Sequence, residues 1–272
     1  MSTTAAPAPA LTAAQLATFA RDGYVIVQGL WGRSEVADIR AAFFALAEGG
    51  VVPGLFEPTA QTGTIVDPLQ RYPRVMHPHA HPQLPAGALA SRFLLDRRVL
   101  PIVEALYGEA AVGVQTMFYF KPPGARGQAF HQDNFYLDAA PRSCLAAWAA
   151  IDDVDPENGG LFVVPGSHRL PIQVPERANE QESFTDVLVR PPADMPAIPA
   201  LLAAGDLLFF DGNLIHGSYP NRSNERFRSS FISHYVAAST TTLSEWYQHN
   251  LSADGQIVQF AKPGGTQRPR GD

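Results

Sequence analysis

The sequence predicts a mainly β fold, a sandwich or barrel of the jelly-roll type preceded by helices. From Ala111 onward, apolar runs of strand length alternate with turns rich in glycine and proline. Many short strands separated by such turns are typical of two-sheet β proteins. Before Ala111, apolar residues recur at helical spacing between capping residues and glycines. The length of 272 residues fits one domain, because β sandwiches and barrels of this size are often undivided.

We expect residues 11–260 to form a single domain, with its strand-rich core at about residues 111–238. Residues 1–10 are rich in alanine and proline, and we predict that they are disordered. Residues 261–272 are rich in glycine, proline and arginine, and we predict a frayed tail there.

Local signals divide the chain into elements. Thr12 is a good helix cap and Gly23 a good helix end. Residues 51–85 are rich in proline and glycine and predict a long irregular connection, a kind of segment that is often functional. The predicted helices run from Thr12 to Gly23, over residues 35–47 after Ser34, and over residues 88–107 with an interruption at Pro101. The predicted strands cover residues 24–27, 111–120, 145–151, 161–164, 186–190, 206–210 and 227–238.

Composition and charge exclude several kinds of partner and location. Cys144 is the only cysteine, so no disulfide framework is possible within the chain and a reducing, cytoplasmic compartment is expected. The start of the chain lacks the basic and apolar regions of a signal peptide, and no apolar run approaches the length of a membrane span. The net charge is −6 and the only lysines are Lys121 and Lys262. We therefore expect no nucleic-acid partner and no membrane partner.

The stretch that organises the predicted core is residues 128–136, with His131-x-Asp133 at its centre. On a β-strand, residues two apart point to the same face, so this imidazole and carboxylate can close on one ion. Two imidazoles and one carboxylate with open coordination positions form the facial triad of non-haem Fe(II) oxygenases. The pair alone is weak evidence, since most such pairs are simply surface or hydrogen-bonded residues.

A second histidine and an arginine downstream strengthen the metal hypothesis. His216 follows the apolar strand predicted at residues 206–210 across a Gly/Asn turn, so it can face back into the barrel. Arg226 and Arg228 lie at the start of the next strong strand. An arginine that faces the metal would hold a second carboxylate bidentately, which is what an oxygenase using 2-oxoglutarate needs.

In combination, these motifs resemble the phytanoyl-CoA dioxygenase (PhyH-like) family of Fe(II)/2-oxoglutarate-dependent oxygenases. The resemblance covers roughly residues 111–235, with weaker similarity in the N-terminal helices. None of the motifs is specific by itself. They are His131-x-Asp133, Asn158-Gly159-Gly160, Pro165-Gly166-Ser167-His168, Gly205-Asp206, and His216-Gly217-Ser218 followed by an arginine.

The resemblance implies a double-stranded β-helix core, a cupin-like jelly roll, that carries Fe(II) at His131, Asp133 and His216. It also implies a reaction with O2 in which 2-oxoglutarate is the co-substrate. In the family, 2-oxoglutarate is held by the strand arginine, by the residue matching Ser218, and by a polar residue on the first core strand. Gln115 suits that last position best, and Trp148 on the following strand would line the site.

The choice between the two arginines depends on strand register. Arg226 and Arg228 lie ten and twelve residues after His216, on either side of the spacing usual in the family. We choose Arg228, because strand alternation then puts Arg228, Ser230, Ile232 and His234 on one face. Arg226 is predicted to lie in the turn and to be solvated.

The substrate is predicted to be a free small metabolite and not an acyl-CoA. The phosphates of CoA are normally held by clustered lysines and arginines, and the chain has no basic cluster outside the turn at residues 221–228 and the tail. Since N-terminal loops cover the active site in the family, we predict a substrate contact by His77. Asn134 and Trp246 are further candidates for substrate contact. The remaining histidines of the His77-Pro78-His79-Ala80-His81 loop are predicted to be solvated and not to bind metal.

The function predicted from the sequence is that of a dioxygenase (hydroxylase) dependent on Fe(II) and 2-oxoglutarate. It would oxidise an unactivated C–H bond of a small metabolite, in a secondary-metabolism setting, and release succinate and CO2. Hydroxylation is the expected outcome, and desaturation or ring closure at the same site are alternatives that the sequence does not separate. Two alternatives remain: a non-catalytic jelly-roll protein that binds a metabolite, and a zinc-dependent cupin-like enzyme, because two histidines and one aspartate also suit zinc. Arg228 and Ser218 disfavour both, since neither alternative needs an anchor for a second carboxylate.

Overall fold

Two antiparallel β-sheets face each other, and helices cover the outer face of the larger sheet. The computed structural model describes residues 11–59 and 67–264. The predicted disorder at residues 1–10 and the end of the predicted tail, residues 265–272, lie outside the described residues. The prediction of a mainly β jelly roll with flanking N-terminal helices is confirmed.

The N-terminal helix forms where its capping signals predict it. The Thr12 hydroxyl accepts a hydrogen bond from the Gln15 N–H at 3.2 Å, while the Gln15 side chain accepts one from the Thr12 N–H at 2.9 Å. Gly23 ends the helix with φ 81°. The helices are α1 (Ala13–Asp22), α2 (Arg33–Glu48), α3 (Pro85–Leu94), α4 (Leu100–Tyr107) and the short α5 (Asn134–Leu137).

Two predicted helix boundaries are wrong for identifiable reasons. α2 is capped at Gly32 and not at Ser34, because the Glu35 carboxylate reaches back to accept the Gly32 N–H at 2.9 Å. The predicted helix over residues 88–107 is two helices, α3 and α4. Pro101 does not interrupt a helix: it lies in the first turn of α4, where the missing N–H of proline costs nothing.

The strands form the two facing sheets and one small hairpin. The larger sheet has the order β1-β10-β5-β12-β3-β13-β14, with β2 also paired to β3, and the smaller sheet has the order β4-β11-β6-β9. The strands are β1 (Tyr24–Val27), β2 (Val75–Met76), β3 (Ala111–Tyr119), β4 (Gln128–His131), β5 (Leu145–Ala150), β6 (Leu161–Val163), β7 (Glu176–Arg177), β8 (Val187–Leu188), β9 (Ile198–Pro199), β10 (Leu207–Asp211), β11 (His216–Ser218), β12 (Ser230–Ala237), β13 (Asn250–Ser252) and β14 (Ile257–Val258).

The larger sheet is buried on both faces, which explains its continuous apolar strands. In β5 every residue is buried: Ala147 and Ala149 pack towards the helices, whereas Ala146 and Trp148 face the smaller sheet. The core between the sheets is completed by apolar residues of β6, β10 and β12. The site described below lies in this layer, so its polar groups are surrounded by apolar side chains.

The region predicted as an irregular connection, residues 51–85, contributes an edge strand to the larger sheet. Within its described residues, β2 pairs with β3 through Val75 and Phe118. A strand of two residues has no periodicity to detect, so the sequence pattern did not predict it. No helix in the described part of the chain combines the length and apolar character that crossing a membrane requires.

Candidate active site

Two histidines and one aspartate, all buried, meet between β4 and β11. His131 ends β4 and His216 begins β11, and the two are direct antiparallel partners with ring centroids 4.2 Å apart. Asp133 Oδ1 lies 3.4 Å from His131 Nε2 and 3.7 Å from His216 Nε2. One ligand atom from each residue lies within 4.8 Å of the others. With metal–ligand bonds of about 2.0–2.2 Å, one ion can contact all three.

Backbone carbonyls fix both imidazoles in the tautomer that a metal needs. His131 Nδ1 lies 2.9 Å from the Ala129 carbonyl, and His216 Nδ1 lies 3.0 Å from the Leu214 carbonyl. Because a carbonyl oxygen only accepts, each Nδ1 carries the proton and each Nε2 keeps a lone pair. The Gln128 amide already donates to the Nε2 of His131, at 3.1 Å. Burial lowers the pKa of His216 to about 4, so its ring is neutral near pH 7.

The strand geometry that the metal hypothesis assumed for His131-x-Asp133 holds only as far as His131. β4 ends at His131, and Asp133 has helical backbone angles, φ −60° and ψ −36°, directly before α5. The two side chains converge because the chain turns there. The Asn134 N–H donates to the Gly212 carbonyl at 2.9 Å and ties this turn to the segment between β10 and β11. The pair of ligands is therefore held by a strand end and a helix start.

His234 of β12 holds the outer oxygen of the aspartate, a role that the sequence did not reveal. Its Nε2 lies 2.9 Å from Asp133 Oδ2, which leaves Oδ1 directed at His131 and His216. Burial opposes ionisation of Asp133, but the surrounding imidazoles outweigh it and hold the pKa of the carboxyl well below its usual range. The predicted strand alternation did place His234 on the face of Arg228, which was the available signal.

Arg228 is a buried cation that lacks an acidic partner. It is 3% exposed, its Nε donates to the Gly159 carbonyl at 3.0 Å, and its Nη1 donates to Ser230 Oγ at 2.9 Å. Among the described residues, no carboxylate lies within ion-pair distance of its guanidinium. Burial lowers the pKa of Arg228 to about 10, which still leaves it charged at neutral pH. It stacks on the Trp148 ring, with Cζ 5.3 Å from the ring centroid.

The three ligands and Arg228 line one cavity of about 1140 Å³. Ser218, Gln115 and Trp148, the other residues implied by the family resemblance, line the same cavity. Gln115 and His234 are paired across β3 and β12, at the end of the sheet near Asp133. The structure therefore brings together every metal-binding and 2-oxoglutarate-binding residue predicted from the sequence.

Of the three predicted substrate contacts, the structure places one on the cavity wall. Trp246 lines the cavity and is 56% exposed. Asn134 does not line the cavity, and both ends of its amide bond to the Ala139 backbone, at 3.0 and 3.2 Å, so its contact with a substrate stays a prediction. His77 lies behind the wall, with its ring centroid 6.0 Å from that of Trp246 and 5.8 Å from that of Tyr247. His77 does not line the cavity, so its contact with a substrate stays a prediction.

Arg226 lies at the surface, as the choice of register predicted. Its guanidinium lies 2.7 Å from Asp155 Oδ2 and 2.6 Å from Glu157 Oε2, with 43% of its side chain exposed. Arg228 itself precedes β12, which begins at Ser230 and is shorter than the predicted strand. The Arg228 N–H nevertheless donates to the Lys121 carbonyl at 3.1 Å, so the chain continues along the strand direction.

The donor set fits an iron centre and a dicarboxylate co-substrate. Two imidazole nitrogens and one carboxylate oxygen converge from one side and leave the cavity side open, as in non-haem Fe(II) oxygenases. A buried guanidinium without an acidic partner is costly, and a carboxylate supplied by a ligand would relieve that cost. Arg228 occupies this position on the wall of the same cavity.

Comparisons with known proteins agree with this arrangement. The profile of the family described as Phytanoyl-CoA dioxygenase (PhyH) matches residues 19–230. Phytanoyl-CoA dioxygenase 1 of Oryza sativa subsp. japonica is 32% identical over 134 residues, which make up 48% of this chain and 47% of that protein. The chain spans about half the length of the curated relatives it matches first.

Two solved structures share the fold over most of the chain. The epimerase SnoN, in complex with Fe3+, alpha ketoglutarate and nogalamycin RO, is 26% identical and has a TM-score of 0.64, covering 84% of each chain. EctD from S. alaskensis with bound Fe has a TM-score of 0.68 at 22% identity, covering 97% of this chain and 90% of that one. The likeness to EctD shows the fold alone.

The fold and the site define a jelly-roll protein with a metal centre of two histidines and one carboxylate, the class of the non-haem oxygenases. Together with the profile match over residues 19–230, this arrangement places the protein within a family. The chain belongs to the phytanoyl-CoA dioxygenase family of Fe(II)/2-oxoglutarate-dependent oxygenases.

Proposed function

We propose that this protein is a dioxygenase that uses Fe(II), 2-oxoglutarate and O2 to oxidise an unactivated C–H bond of a free small metabolite, by hydroxylation. The observation that carries the proposal is the presence of two complementary groups in one cavity. One is the triad of His131, Asp133 and His216, and the other is the cation Arg228, which has no acidic partner among the described residues. A 2-oxo dicarboxylate matches both, because one end chelates a metal and the other needs a fixed cation.

Each residue has a definite task in this reaction. His131 and His216 offer Nε2 atoms whose direction the backbone has already fixed, and Asp133 offers Oδ1 while His234 holds Oδ2. This arrangement avoids reorganisation when the ligands bind. The bound iron supplies the redox chemistry by which one atom of O2 goes to the substrate carbon and the other to succinate, with release of CO2.

The residues between the triad and Arg228 shape the co-substrate site and keep water out. Along β12, Ile232 lies between Arg228 and His234, and it pairs with Trp148 of β5. Both Ile232 and Trp148 are buried and line the cavity. The carbon chain of 2-oxoglutarate would lie against these apolar side chains, with Arg228 and Ser218 at its distal carboxylate. Excluding water there strengthens the charge pairing with Arg228.

The described cavity suits a small polar substrate better than a CoA thioester. Lys121 is buried, and Lys262 pairs with Glu245 at 2.5 Å, so neither lysine is placed to hold phosphates. Besides Arg228, the cavity wall has the cations Arg74 and Lys262, and the latter is already paired, which is too little for the several phosphate charges of CoA. The rest of the wall includes aromatic and hydrogen-bonding side chains, namely Tyr119, Tyr136, Thr185, Ser244 and Trp246. SnoN, a neighbour at 26% identity, was solved with nogalamycin RO, which also supports a non-CoA substrate.

The decisive experiment measures succinate. Protein reconstituted with Fe(II) is expected to convert 2-oxoglutarate to succinate in air, slowly without substrate and faster with it. His131→Ala should abolish this conversion, and Arg226→Ala is the matched control that should retain it. Absence of succinate from folded, iron-loaded protein under every substrate tried would contradict the proposal.

The same experiment separates the two alternative functions. A zinc-dependent enzyme would be active with Zn(II) and indifferent to 2-oxoglutarate, and a binding protein would take up the metabolite without forming succinate. The unpaired Arg228 disfavours both, because neither function requires a buried cation beside the metal centre.

A further inference from the structure

Lys121 is a second buried cation close to Arg228, and the reaction as described so far does not use it. It lies just after β3, is 2% exposed, and donates from Nζ to Ser218 Oγ at 2.7 Å. In the described part of the chain, no carboxylate lies within ion-pair distance of Nζ. An ammonium without an acidic partner is costly to bury. Burial of the Lys121 ammonium therefore costs free energy, and no ion pair among the described residues offsets this cost.

The backbone of Lys121 is also held in an uncommon conformation. Its φ is 40°, in the left-handed region that residues other than glycine rarely adopt. Its carbonyl accepts hydrogen bonds from the Arg228 N–H at 3.1 Å and from the Asn221 side chain at 3.0 Å. These bonds secure the segment that carries Arg228 while the Lys121 side chain reaches Ser218. One residue thus connects the two groups expected at the distal carboxylate.

Ser218 becomes an obligate donor because of Lys121. A serine hydroxyl offers one proton and two lone pairs. Both acceptor positions of Ser218 Oγ are used, by Lys121 Nζ at 2.7 Å and by the Gln128 N–H at 3.1 Å. The Ser218 proton has no acceptor among the described residues, and the side chain lines the cavity. The unsatisfied donor is therefore available to an acceptor that enters the cavity.

The three groups together form a site for an anion. Burial, and then the charge of Arg228, hold the pKa of Lys121 well below its usual range, as expected for two cations that lack a counter-ion. A carboxylate would pair with Arg228, accept the Ser218 proton and offset the charge of Lys121 through that hydrogen bond. A ligand with an apolar end would leave all three groups unsatisfied.

We propose that Lys121 is a positioning residue for the distal carboxylate of the co-substrate: it orients Ser218 as a donor and adds the second positive charge that selects a dicarboxylate 2-oxo acid. This inference rests on the proposed function, because it takes 2-oxoglutarate as the ligand. It adds that discrimination against 2-oxo acids with an uncharged end depends on Lys121 as well as on Arg228.

The test compares two ligands that share the metal-chelating end. Binding of 2-oxoglutarate and of 2-oxobutyrate, which lacks the distal carboxylate, is measured by calorimetry on protein loaded with Mn(II). Lys121→Met keeps the length of the side chain and removes its charge. We expect it to weaken 2-oxoglutarate at least about ten-fold, as for loss of a hydrogen bond to a charged group, and to leave 2-oxobutyrate within about two-fold. Lys121→Gln restores a donor to Ser218 without charge. Its affinity for 2-oxoglutarate should lie between those of the wild-type protein and of Lys121→Met.

The control is Arg226→Met, which removes an exposed positive charge that pairs with Asp155 and Glu157 and does not line the cavity. It should change neither affinity. Equal weakening of both ligands by Lys121→Met, or no weakening of 2-oxoglutarate, would overturn the inference. If neither Lys121 variant melts cooperatively, Ser218→Ala tests the same hydrogen bond. This variant should lower the affinity for 2-oxoglutarate about ten-fold and leave that for 2-oxobutyrate unchanged. Any other pattern would overturn the inference. Failure of the wild-type protein to bind 2-oxoglutarate would instead contradict the proposed function.

Discussion

Arg228 and Arg226 are two residues apart, but Arg228 is buried and Arg226 is exposed. Burial decides how much the charge of an arginine contributes to binding. Arg228 is 3% exposed and has no acidic partner among the described residues, whereas Arg226 is half exposed and pairs with Asp155 and Glu157. Arg228→Ala should weaken 2-oxoglutarate binding by about 2–5 kcal/mol, the usual loss when one partner of a buried charge pair is removed. At about 1.4 kcal/mol per decade this means tens to thousands of fold.

Arg226→Ala is the matched control for that measurement, because exposed ion pairs contribute about 0–1 kcal/mol. Titration of the metal-loaded protein with 2-oxoglutarate measures both variants. The reverse order of effects would show that the anchor is Arg226 and that the assigned strand register is wrong.

His234 is expected to affect metal binding although it does not lie in the triad. Removing the partner of a ligating group typically costs 10–100-fold in metal affinity. We therefore expect His234→Ala to weaken Fe(II) binding by about that factor, because the outer oxygen of Asp133 loses its donor. His234→Gln, whose amide can donate to the same oxygen, should recover part of the loss.

An anaerobic titration with Fe(II) measures the effect of the His234 variants. His249→Ala is the control, since His249 is exposed and does not line the cavity. Unchanged iron affinity in His234→Ala would show that Asp133 is held adequately without this bond.

For single residues, the sequence predicted the roles that belong to short local motifs. It did not predict roles that depend on a contact between residues far apart in sequence. His131, Asp133 and His216 belong to short motifs, and strand alternation was sufficient to choose Arg228 over Arg226. His234 meets Asp133 across 101 residues of sequence, and Lys121 meets Ser218 across 97. Neither spacing is a pattern that a single sequence can show, because register between distant strands decides both contacts.

At the scale of elements, periodicity predicted the long strands and failed where an element is short or bends. β3, β5 and β12 appear where their apolar runs lie, with ends shifted by one to three residues. β2 has two residues and α5 has four, too few to produce a period. Strand geometry through His131 and Asp133 was an assumption of the metal hypothesis, and nothing local in the sequence marks the turn from β4 into α5. The tie that makes this turn comes from Gly212, which is far away in sequence.

The turn that carries Gly159 is an element on which the anion site depends. Gly159 has φ 85°, and its carbonyl accepts the Arg228 Nε. A Cβ there would lie 2.6 Å from Lys121 Cε and 2.9 Å from the Tyr219 carbonyl. Gly159→Ala should therefore lower the free energy of unfolding by about 1–3 kcal/mol and also weaken 2-oxoglutarate binding. Thermal melts and ligand titration measure the two effects.

Gly108→Ala is the control for Gly159→Ala, because it introduces backbone strain without a steric clash. Gly108 ends α4 with φ 74°, and a Cβ there would meet nothing within 4 Å. We expect a loss of about 1–2 kcal/mol in stability from the left-handed conformation, with 2-oxoglutarate affinity unchanged. If Gly159→Ala behaved like Gly108→Ala in both measurements, the Gly159 turn would have no role in the anion site.

For the whole molecule, the distribution of charge is the main constraint on the substrate. The net charge is −6, and besides the metal ligand Asp133 the cavity wall has three acidic residues and three cations. The acidic residues are Asp138, Asp186 and Glu245, and the cations are Arg74, Arg228 and Lys262. Of these cations, Arg228 is assigned to the co-substrate and Lys262 pairs with Glu245, so Arg74 remains. A CoA carrier would bring several phosphates towards a surface with little positive potential, which opposes both encounter and binding. We therefore expect the substrate of this chain to differ from the CoA thioester in the names of the curated relatives.

The substrate prediction is tested by 2-oxoglutarate decarboxylation, which accelerates when a correct substrate binds. A panel of acyl-CoA thioesters, the corresponding free acids, and small hydroxylated or amine-bearing metabolites is added to the Fe(II)-loaded protein. We expect stimulation by members of the small-metabolite panel and none that requires the CoA group, because the chain offers no cluster of cations for its phosphates. Raising the salt concentration should have little effect on that stimulation, since long-range phosphate attraction is not involved. Strong stimulation by a thioester that is lost with its free acid would show that the protein recognises CoA after all.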